Sequence, residues 1–384
     1  MFELVFLGTA AAVPSAERGS PALLIARGPA RFLVDCGEGT QRQLMRAQLG
    51  FRGLGHVLLT HLHLDHIAGL AGLLATLELY KIGRSVEIVG SRETVAFARR
   101  YLSDTIGPER EAGYRLCAVE PGLLLSRPGW RITAFPVAHR GTESLGYVFE
   151  EETRRALLPD RLEALGVPEG PERARLARAL PIVLADGRLV TPEMVQGPSV
   201  AGAKLAIVGD AEEVTSLIEP VRRADALVIE ATFLERDAGL ARARGHLTAA
   251  AAARLGREAE VGELLLTHIS GRYKAEEILS EAAQLVPRVR VAADFDRVWV
   301  APLVSSCACP PATWRCCTRS SEYKSARARP VPRARRNRAA GRGLRLDALV
   351  ANLADQPCDG LGRRLACGVE PFGGHERDTV SPPE

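Results

Sequence analysis

Long apolar runs are absent from this sequence, although 46% of its 384 residues are hydrophobic. A helix that crosses a bilayer needs about 20 consecutive apolar residues, so we expect no membrane span and no membrane partner. The first six residues alternate like a strand and contain neither a basic leader segment nor a cleavage site. A cytoplasmic location is therefore the expectation.

Cysteine is scarce in residues 1–303, where only Cys36 and Cys117 occur. Two separated cysteines provide no disulfide framework, which favours a reducing compartment. This part of the chain also lacks an excess of positive charge, although the whole sequence has a net charge of +4. A globally basic surface for nucleic acid is therefore excluded, and such a partner would have to be held by local patches and metal ions.

Residues 304–384 differ in composition from everything that precedes them. They contain 14 Lys and Arg against 8 Asp and Glu, together with six of the eight cysteines. These cysteines lack the C-x-x-C spacing of zinc ribbons, and the segment has little periodicity. We predict a disordered, low-complexity tail after a globular region, either an RNA-attracting basic tail or an out-of-frame extension.

The densest group of chemically active side chains lies within residues 57–74, VLLTHLHLDHIAGLAGLL. A predicted buried strand meets a predicted apolar helix here, and the turn between them contains His61, His63, Asp65 and His66. Residues two apart in an extended chain share a face, and the next residues follow on the first helical turn. Imidazole and carboxylate are ligands that Zn²⁺ takes, so the spacing predicts a metal site.

Four ligands from one turn crowd a single tetrahedral ion, so two ions are the simpler arrangement. Each ion then needs further ligands from later strand ends. Candidates that follow a predicted strand or precede a predicted helix are His139, Asp210, His246 and His268. His56 precedes a strand, and we assign it no functional role.

A glycine-rich turn, Asp35–Thr40, precedes a predicted helix over residues 41–49. Gly37 and Gly39 indicate that the backbone approaches another group closely. The turn lacks the lysine and the longer spacing of a phosphate-binding loop, so it gives little support for a phosphate site.

Predicted strands and helices alternate through residues 1–303, which indicates an α/β class with two sheet layers. Residues 151–200 interrupt this pattern with six prolines and several arginines around a stiff turn, Gly166–Pro171. We interpret this segment as a projecting arm with basic residues on it. A surface insertion without a function is the alternative.

Segments of residues 1–303 resemble the metallo-β-lactamase superfamily and, within it, the ribonuclease Z family, endonucleases that remove 3′ trailers from precursor tRNA. They are FLGTAAAVPS (6–15), LVDCGEGTQRQL (33–44), THLHLDHIAGLAGLL (60–74), SLGY (144–147), IVGD (207–210), IEATF (229–233), GHLT (245–248) and THISGRY (267–273). The H-x-H-x-D-H signature alone indicates only the superfamily, whereas EATF, GHLT, THISGRY and the arm are more specific. The resemblance implies a four-layer αββα sandwich, with residues 151–200 as an inserted exosite arm that clamps the tRNA elbow.

The resemblance also implies a site with two zinc ions per subunit, with Mn²⁺ as the alternative metal. One ion would be held by His61, His63 and His139. The other would be held by Asp65, His66 and His268, with Asp210 bridging the two. Implied catalytic residues are Asp65, His246 and Glu230, and implied substrate contacts are Ser270, Arg272, Tyr273, Gly170 and Pro171.

The implied reaction is cleavage of the phosphodiester by a metal-activated hydroxide, with His246 beside the scissile phosphate and oriented by Glu230. The implied partner is precursor tRNA, and the implied assembly is a homodimer. Two other readings of the residues stay open: a hydrolase of a small phosphodiester or aryl sulfate, and a non-catalytic metal-binding subunit. One departure from the family is Gly19, which stands where Asn is often found in a loop linked to sensing the CCA end.

Overall fold

The computed structural model describes residues 1–81, 85–107 and 113–302. The predicted tail, 304–384, lies outside the described residues. The described strands are β1 (Phe2–Gly8), β2 (Ala22–Arg27), β3 (Ala30–Val34), β4 (Leu54–Leu58), β5 (Val86–Gly90), β6 (Tyr114–Ala118), β7 (Gly122–Arg127), β8 (Trp130–His139), β9 (Thr142–Glu151), β10 (Arg154–Leu157), β11 (Ile182–Val183), β12 (Leu189–Val190), β13 (Gln196–Val200), β14 (Lys204–Ile207), β15 (Ala226–Glu230), β16 (Leu264–Thr267), β17 (Val289–Val291) and β18 (Arg297–Val300).

The described helices are α1 (Thr40–Arg46), α2 (Leu64–Ile67), α3 (Leu70–Leu79), α4 (Arg92–Ile106), α5 (Pro159–Ala164), α6 (Pro171–Ala177), α7 (Pro192–Val195), α8 (Ile218–Val221), α9 (Ala238–Arg244), α10 (Ala249–Glu258) and α11 (Ala275–Ala283). Short 3₁₀ turns precede α8 and α9. None of these helices combines the length and the apolarity that a bilayer crossing requires.

Two large sheets are built from the described strands. The first has the order β18-β1-β2-β3-β4-β5-β6, and the second has the order β17-β16-β15-β14-β9-β8-β7. β3 to β6 are parallel in the first sheet, and β14 to β17 are parallel in the second. Parallel neighbours need crossover connections, which place helices on the outer face of each sheet.

The main core lies between the two sheets. Phe32 of the first sheet meets Phe149 and Trp130 of the second edge-to-face, with ring centroids 5.5 Å apart in both pairs. A second apolar cluster joins the outer face of the first sheet to α1, α3 and α4, and a third joins the second sheet to α10 and α11. This helix–sheet–sheet–helix order confirms the expected four-layer αββα sandwich.

Residues 151–200 contain more structure than the sequence predicts. Two short helices, α5 and α6, lie in this segment, β10 pairs with β13, and β11 pairs with β12. These pieces surround a separate apolar cluster: Leu162, Val167, Leu176, Ile182, Val190 and Val195. Strands of two to five residues have little periodicity, so nothing in the sequence indicated these two small sheets, which are separate from the two large sheets.

Gly37 brings the turn after β3 against the first turn of α2. A Cβ on Gly37 would lie 2.2 Å from the backbone oxygen of Asp65, and Cys36 donates its N–H to the oxygen of His66 at 2.8 Å. The expected close approach is thus confirmed for Gly37. Gly39 has a different reason to be glycine, because its φ is 75° and a Cβ there would meet open space.

We expect Gly37→Ala to lower the free energy of unfolding by about 1–3 kcal/mol, because overpacking must push α2 away from the turn. Denaturant unfolding of the metal-free protein measures this effect. Gly55→Ala is the matched control, since a Cβ on that strand glycine meets no atom within 4 Å. Equal stability of the two variants would show that the contact is unimportant.

Candidate metal and catalytic site

The candidate residues gather at one edge of the sandwich, where strands end. His61 and His63 follow β4, Asp65 and His66 lie in α2, His139 ends β8, Asp210 follows β14, Glu230 ends β15, His246 lies between α9 and α10, and His268 follows β16. The two sheets are tied together beside them, because Leu145 donates its N–H to the oxygen of Thr60 at 2.8 Å. Residues distant in sequence therefore meet at one place.

The first group of ligand atoms comes from three histidines. The Nδ1 atom of His63 lies 2.9 Å from Nε2 of His61 and 3.3 Å from Nε2 of His139. The Oδ2 atom of Asp210 lies 3.7 Å from Nε2 of His61 and 3.8 Å from Nε2 of His139. His61, His139 and Asp210 are buried. These four side chains converge as ligands of one cation do.

The second group shares Asp210 with the first. Its Oδ1 atom lies 3.5 Å from Nε2 of His66 and 3.3 Å from Nε2 of His268. The Oδ2 atom of Asp65 lies 3.6 Å from the same nitrogen of each histidine. Asp210 therefore presents one oxygen to each group.

Three buried atoms of this cluster have no hydrogen-bond partner among the described residues: Nε2 of His66, Oδ1 of Asp210 and Nε2 of His268. Leaving a buried polar atom unpaired costs about 1–3 kcal/mol. A cation between these atoms would satisfy all three. The donor set therefore fits the expected metal, and the cluster has the composition and the geometry that could hold a metal ion.

A second layer of contacts orients the imidazoles toward the centre. In the first group, Nδ1 of His61 lies 3.0 Å from Oγ1 of Thr60, and Nδ1 of His139 lies 2.8 Å from the backbone oxygen of Gly245. In the second group, Nδ1 of His66 lies 2.7 Å from Oδ2 of Asp35, and Nδ1 of His268 lies 2.9 Å from Oγ1 of Thr232. Such partners fix the ring orientation and leave Nε2 for the metal. Our sequence analysis missed Asp35 and Thr232, although Asp35 follows β3 at the same sheet edge as the other candidates.

The charge states of the buried ligands follow from their surroundings. Burial lowers the pKa of His61 well below its ordinary value, so this ring is neutral at neutral pH. Burial alone would raise the pKa of Asp210, but His268 and His66 hold it well below the usual range. Burial opposes a charge on His66, yet Asp210 and Asp35 raise its pKa well above the ordinary value. A metal ion bound at Nε2 of His66 would therefore have to displace a proton from this ring.

His246 and Glu230 form a pair at the rim of the cluster, where Nδ1 of His246 also lies 3.8 Å from Oδ2 of Asp210. Nδ1 of His246 lies 3.1 Å from Oε1 of Glu230, which is fully buried and also accepts the N–H of Ala211 at 2.7 Å. Burial lowers the pKa of His246, but the Glu230 carboxylate outweighs this effect and the pKa rises to about 9. His246 is therefore a cation at neutral pH, with Nε2 left for another partner.

The candidate substrate contacts differ in their surroundings. Arg272 is exposed, whereas Tyr273 is buried and donates its hydroxyl to Asp237. Ser270 is half-buried beside His268, and its Oγ accepts the N–H of Arg272 at 3.4 Å. Gly170 and Pro171 lie at the start of α6, within residues 151–200. His56 stacks on Phe32 at 5.0 Å and takes no part in the metal cluster.

Known proteins resemble this chain closely over the region that carries the site. "Ribonuclease Z" of Bradyrhizobium diazoefficiens is 51% identical over 301 residues, which cover 78% of this chain and 100% of that protein. The chain belongs to the ribonuclease Z family. Membership confirms the resemblance found in the motifs and the expectation of a hydrolase that cleaves RNA internally.

Solved structures agree with the assignment to the ribonuclease Z family. Human tRNase Z, short form, is 26% identical with a TM-score of 0.54, over 78% of this chain and 99% of that chain. The metallo-β-lactamase fold protein YhfI from Bacillus subtilis has a TM-score of 0.54 at 19% identity, over 78% of this chain and 99% of that one, which supports the fold alone. A family model described as Anti-Pycsar protein Apyc1 matches residues 2–111, which include the H-x-H-x-D-H segment.

Proposed function

We propose that this chain is a zinc-dependent endoribonuclease that removes the 3′ trailer from precursor tRNA. The observation that carries the proposal is Asp210, whose two oxygens face two separate groups of ligands. The first zinc would be held by His61, His63 and His139, and the second by Asp65, His66 and His268, with Asp210 shared. Mn²⁺ is the alternative ion for the same donors.

Two bound ions would supply positive charge at the phosphodiester and a more acidic water. Asp65 would orient that water for in-line attack. The Oδ2 atom of Asp65 faces His66 and His268. The same oxygen accepts the N–H of Ala12 at 3.1 Å, and this hydrogen bond helps to hold the carboxylate in place. Asp65 therefore combines ligand and positioning roles.

His246 would protonate the oxygen that leaves from phosphorus. Its Nδ1 atom faces the buried Glu230 carboxylate, which favours the protonated ring and holds its orientation. General acids positioned in this way contribute about 10²–10⁴-fold to the rate. Glu230 would act through His246 rather than on the substrate.

Precursor tRNA is the proposed substrate because the relatives of this chain are named ribonuclease Z and tRNase Z. Residues 151–200 would contact the folded RNA away from the metals, with Gly170 and Pro171 at the start of α6, while Ser270, Arg272 and Tyr273 would lie near the scissile phosphate. Recognition by shape and backbone suits an A-form substrate. We further propose a cytoplasmic homodimer in which each arm serves the other subunit's site.

A direct test uses the purified full chain, zinc and a precursor tRNA that carries a 3′ trailer. We expect one cut near the discriminator base, and we expect chelation to stop the reaction. A parallel substrate that ends in CCA reports whether this chain, with Gly19 in the loop, discriminates against CCA-ending tRNA. Failure to cut near the discriminator base in the presence of zinc would contradict the proposal.

A hydrolase of a small phosphodiester or an aryl sulfate is the competing function, and it does not need residues 151–200. Arg154 pairs with Val200, so a short glycine-rich turn can replace residues 155–199. The buried members of the arm's own apolar cluster all lie within this range, so the two-sheet core stays covered.

We expect the shortened protein to lose about 100-fold in kcat/KM on precursor tRNA, as when remote positioning contacts are removed. Its turnover of bis(p-nitrophenyl) phosphate should stay within about twofold of the parent, because that substrate cannot reach the arm. Equal cleavage of precursor tRNA by both proteins would contradict the proposed role of the arm, whereas turnover of the small diester without cleavage of precursor tRNA by either protein would favour the small-substrate hydrolase.

A further inference from the structure

The segment Thr9–Ala12 lies directly against the ligands of the second group. Ile269, which follows His268, donates its N–H to the oxygen of Thr9 at 2.9 Å, and its own oxygen accepts the N–H of Ala11 at 3.1 Å. Ala12 donates its N–H to Oδ2 of Asp65 at 3.1 Å. This short segment therefore contacts Asp65 itself and the backbone beside His268.

Ala12 adopts a conformation that needs support from its neighbours. Its φ is 56°, in the left-handed region that residues with a Cβ seldom adopt. Such a conformation persists only where the surrounding structure holds it in place. The amide of Ala12 can reach Asp65 because the segment is fixed on both sides.

Asp294, near the end of the described residues, holds this segment in place through hydrogen bonds, and we call these contacts the anchor. Its Oδ1 accepts the hydroxyl of Thr9 at 2.8 Å, and its Oδ2 accepts the N–H of Gly19 and Nε2 of Gln43, both at 2.7 Å. Arg18 donates from Nη1 to Oγ1 of Thr9 at 2.6 Å and to the oxygen of Ala292 at 2.7 Å. One carboxylate thus holds the start and the end of the loop 9–19.

We infer that Asp294, acting through Thr9, is a positioning residue for the second metal ion. It fixes the segment Thr9–Ala12, which in turn holds Asp65 and the backbone after His268. This inference rests on the two-ion site proposed above and extends it to a residue that binds no metal.

The two ions should respond differently to loss of this anchor. The three-histidine group is held by other contacts, such as those of Thr60 with Nδ1 of His61 and of Gly245 with Nδ1 of His139. None of these contacts includes loop 9–19. Loosening the loop should therefore weaken the ion at Asp65, His66 and His268 and leave the ion at the three-histidine group in place.

Two variants remove the anchor, and two matched variants keep it. Thr9→Val preserves the shape of a fully buried side chain but removes its hydroxyl, whereas Thr9→Ser keeps the hydroxyl. Asp294→Asn puts an amide in place of the carboxylate that accepts hydrogen bonds from Thr9, Gly19 and Gln43. Asp296→Asn is its control in the same segment, since the Asp296 side chain accepts only the local N–H of Ala293 among the described hydrogen bonds and acts on Arg18 through its charge alone.

The experiment titrates zinc from each full-length protein with a coloured chelator and follows thermal unfolding of the metal-free forms. We expect Thr9→Val and Asp294→Asn to weaken one of two ions by about 10–100-fold, the range for outer contacts of metal ligands. The affinity for the other ion should match that of Thr9→Ser and Asp296→Asn, and the unfolding midpoint of the metal-free forms should fall by no more than about 10 °C, the size expected for lost buried hydrogen bonds.

Three other results would overturn the inference. If the parent binds two ions and both variants bind them with parental affinity, the anchor does not position the second site. If both ions weaken together with an earlier unfolding transition, the anchor serves the fold in general. A parent that binds fewer than two ions would overturn the two-ion proposal itself, and this inference with it.

Discussion

Replacing Asp210 by asparagine is expected to reduce cleavage of precursor tRNA by at least about 10³-fold, because two ions supply several kcal/mol and each 1.4 kcal/mol is about a factor of ten. The carboxylate lies 3.3–3.8 Å from a ring nitrogen of five histidines: His61, His66, His139, His246 and His268. The amide keeps the shape of the side chain but removes the charge that balances both ions. Zinc content should fall below two ions per chain.

Asp104→Asn is the control for this prediction, since Asp104 is an exposed carboxylate on α4, far along the chain from every ligand. It should retain full activity and zinc content. Far-ultraviolet circular dichroism of Asp210→Asn separates loss of metal from loss of fold. A folded Asp210→Asn protein that keeps two zinc ions and cleaves at the parental rate would refute the role of the shared carboxylate.

Replacing His246 by asparagine is expected to lower kcat on precursor tRNA by about 10²–10⁴-fold with little change in zinc content. The ring is held at Glu230 and is protonated at neutral pH, since its pKa is raised to about 9 despite burial. RNA cleavage expels a strongly basic alkoxide that needs this proton. Steady-state kinetics on the trailer-bearing substrate measures the loss.

A chemical control identifies what His246 contributes. The p-nitrophenolate leaving group is stable without a proton, so turnover of bis(p-nitrophenyl) phosphate should fall much less in His246→Asn than cleavage of RNA. His56→Asn is the matched histidine control, because His56 stacks on Phe32 outside the cluster. Equal losses on both substrates would exclude proton donation to the leaving oxygen.

Much of this candidate site could be predicted because the residues that form it carry a local signal. His61, His63, Asp65 and His66 lie within six residues, and each distant candidate lies beside a strand or helix end. Since apolar strands are easily found and parallel strands end at a common edge, convergence of their polar ends follows from the fold class. The structure brings all of these side chains together, and Asp210 lies between them.

Other parts carry no such local signal. Asp35 supports His66 and Thr232 supports His268 through contacts that only the folded chain defines. The apolar cluster within residues 151–200 depends on single side chains, such as Leu176 and Val195, from pieces too short to show periodicity. Asp294 reaches Thr9 across 285 positions of sequence, and pairing at that distance leaves no pattern in either segment.

The most direct test of the account is anomalous scattering from crystals of the zinc-loaded protein, measured on both sides of the zinc absorption edge. We predict two peaks about 3.5–4 Å apart. One should lie among His61, His63 and His139, the other among Asp65, His66 and His268, and both should be in contact with Asp210. A single peak, or peaks away from Asp210, would contradict the paired-ion site from which the proposed cleavage chemistry follows.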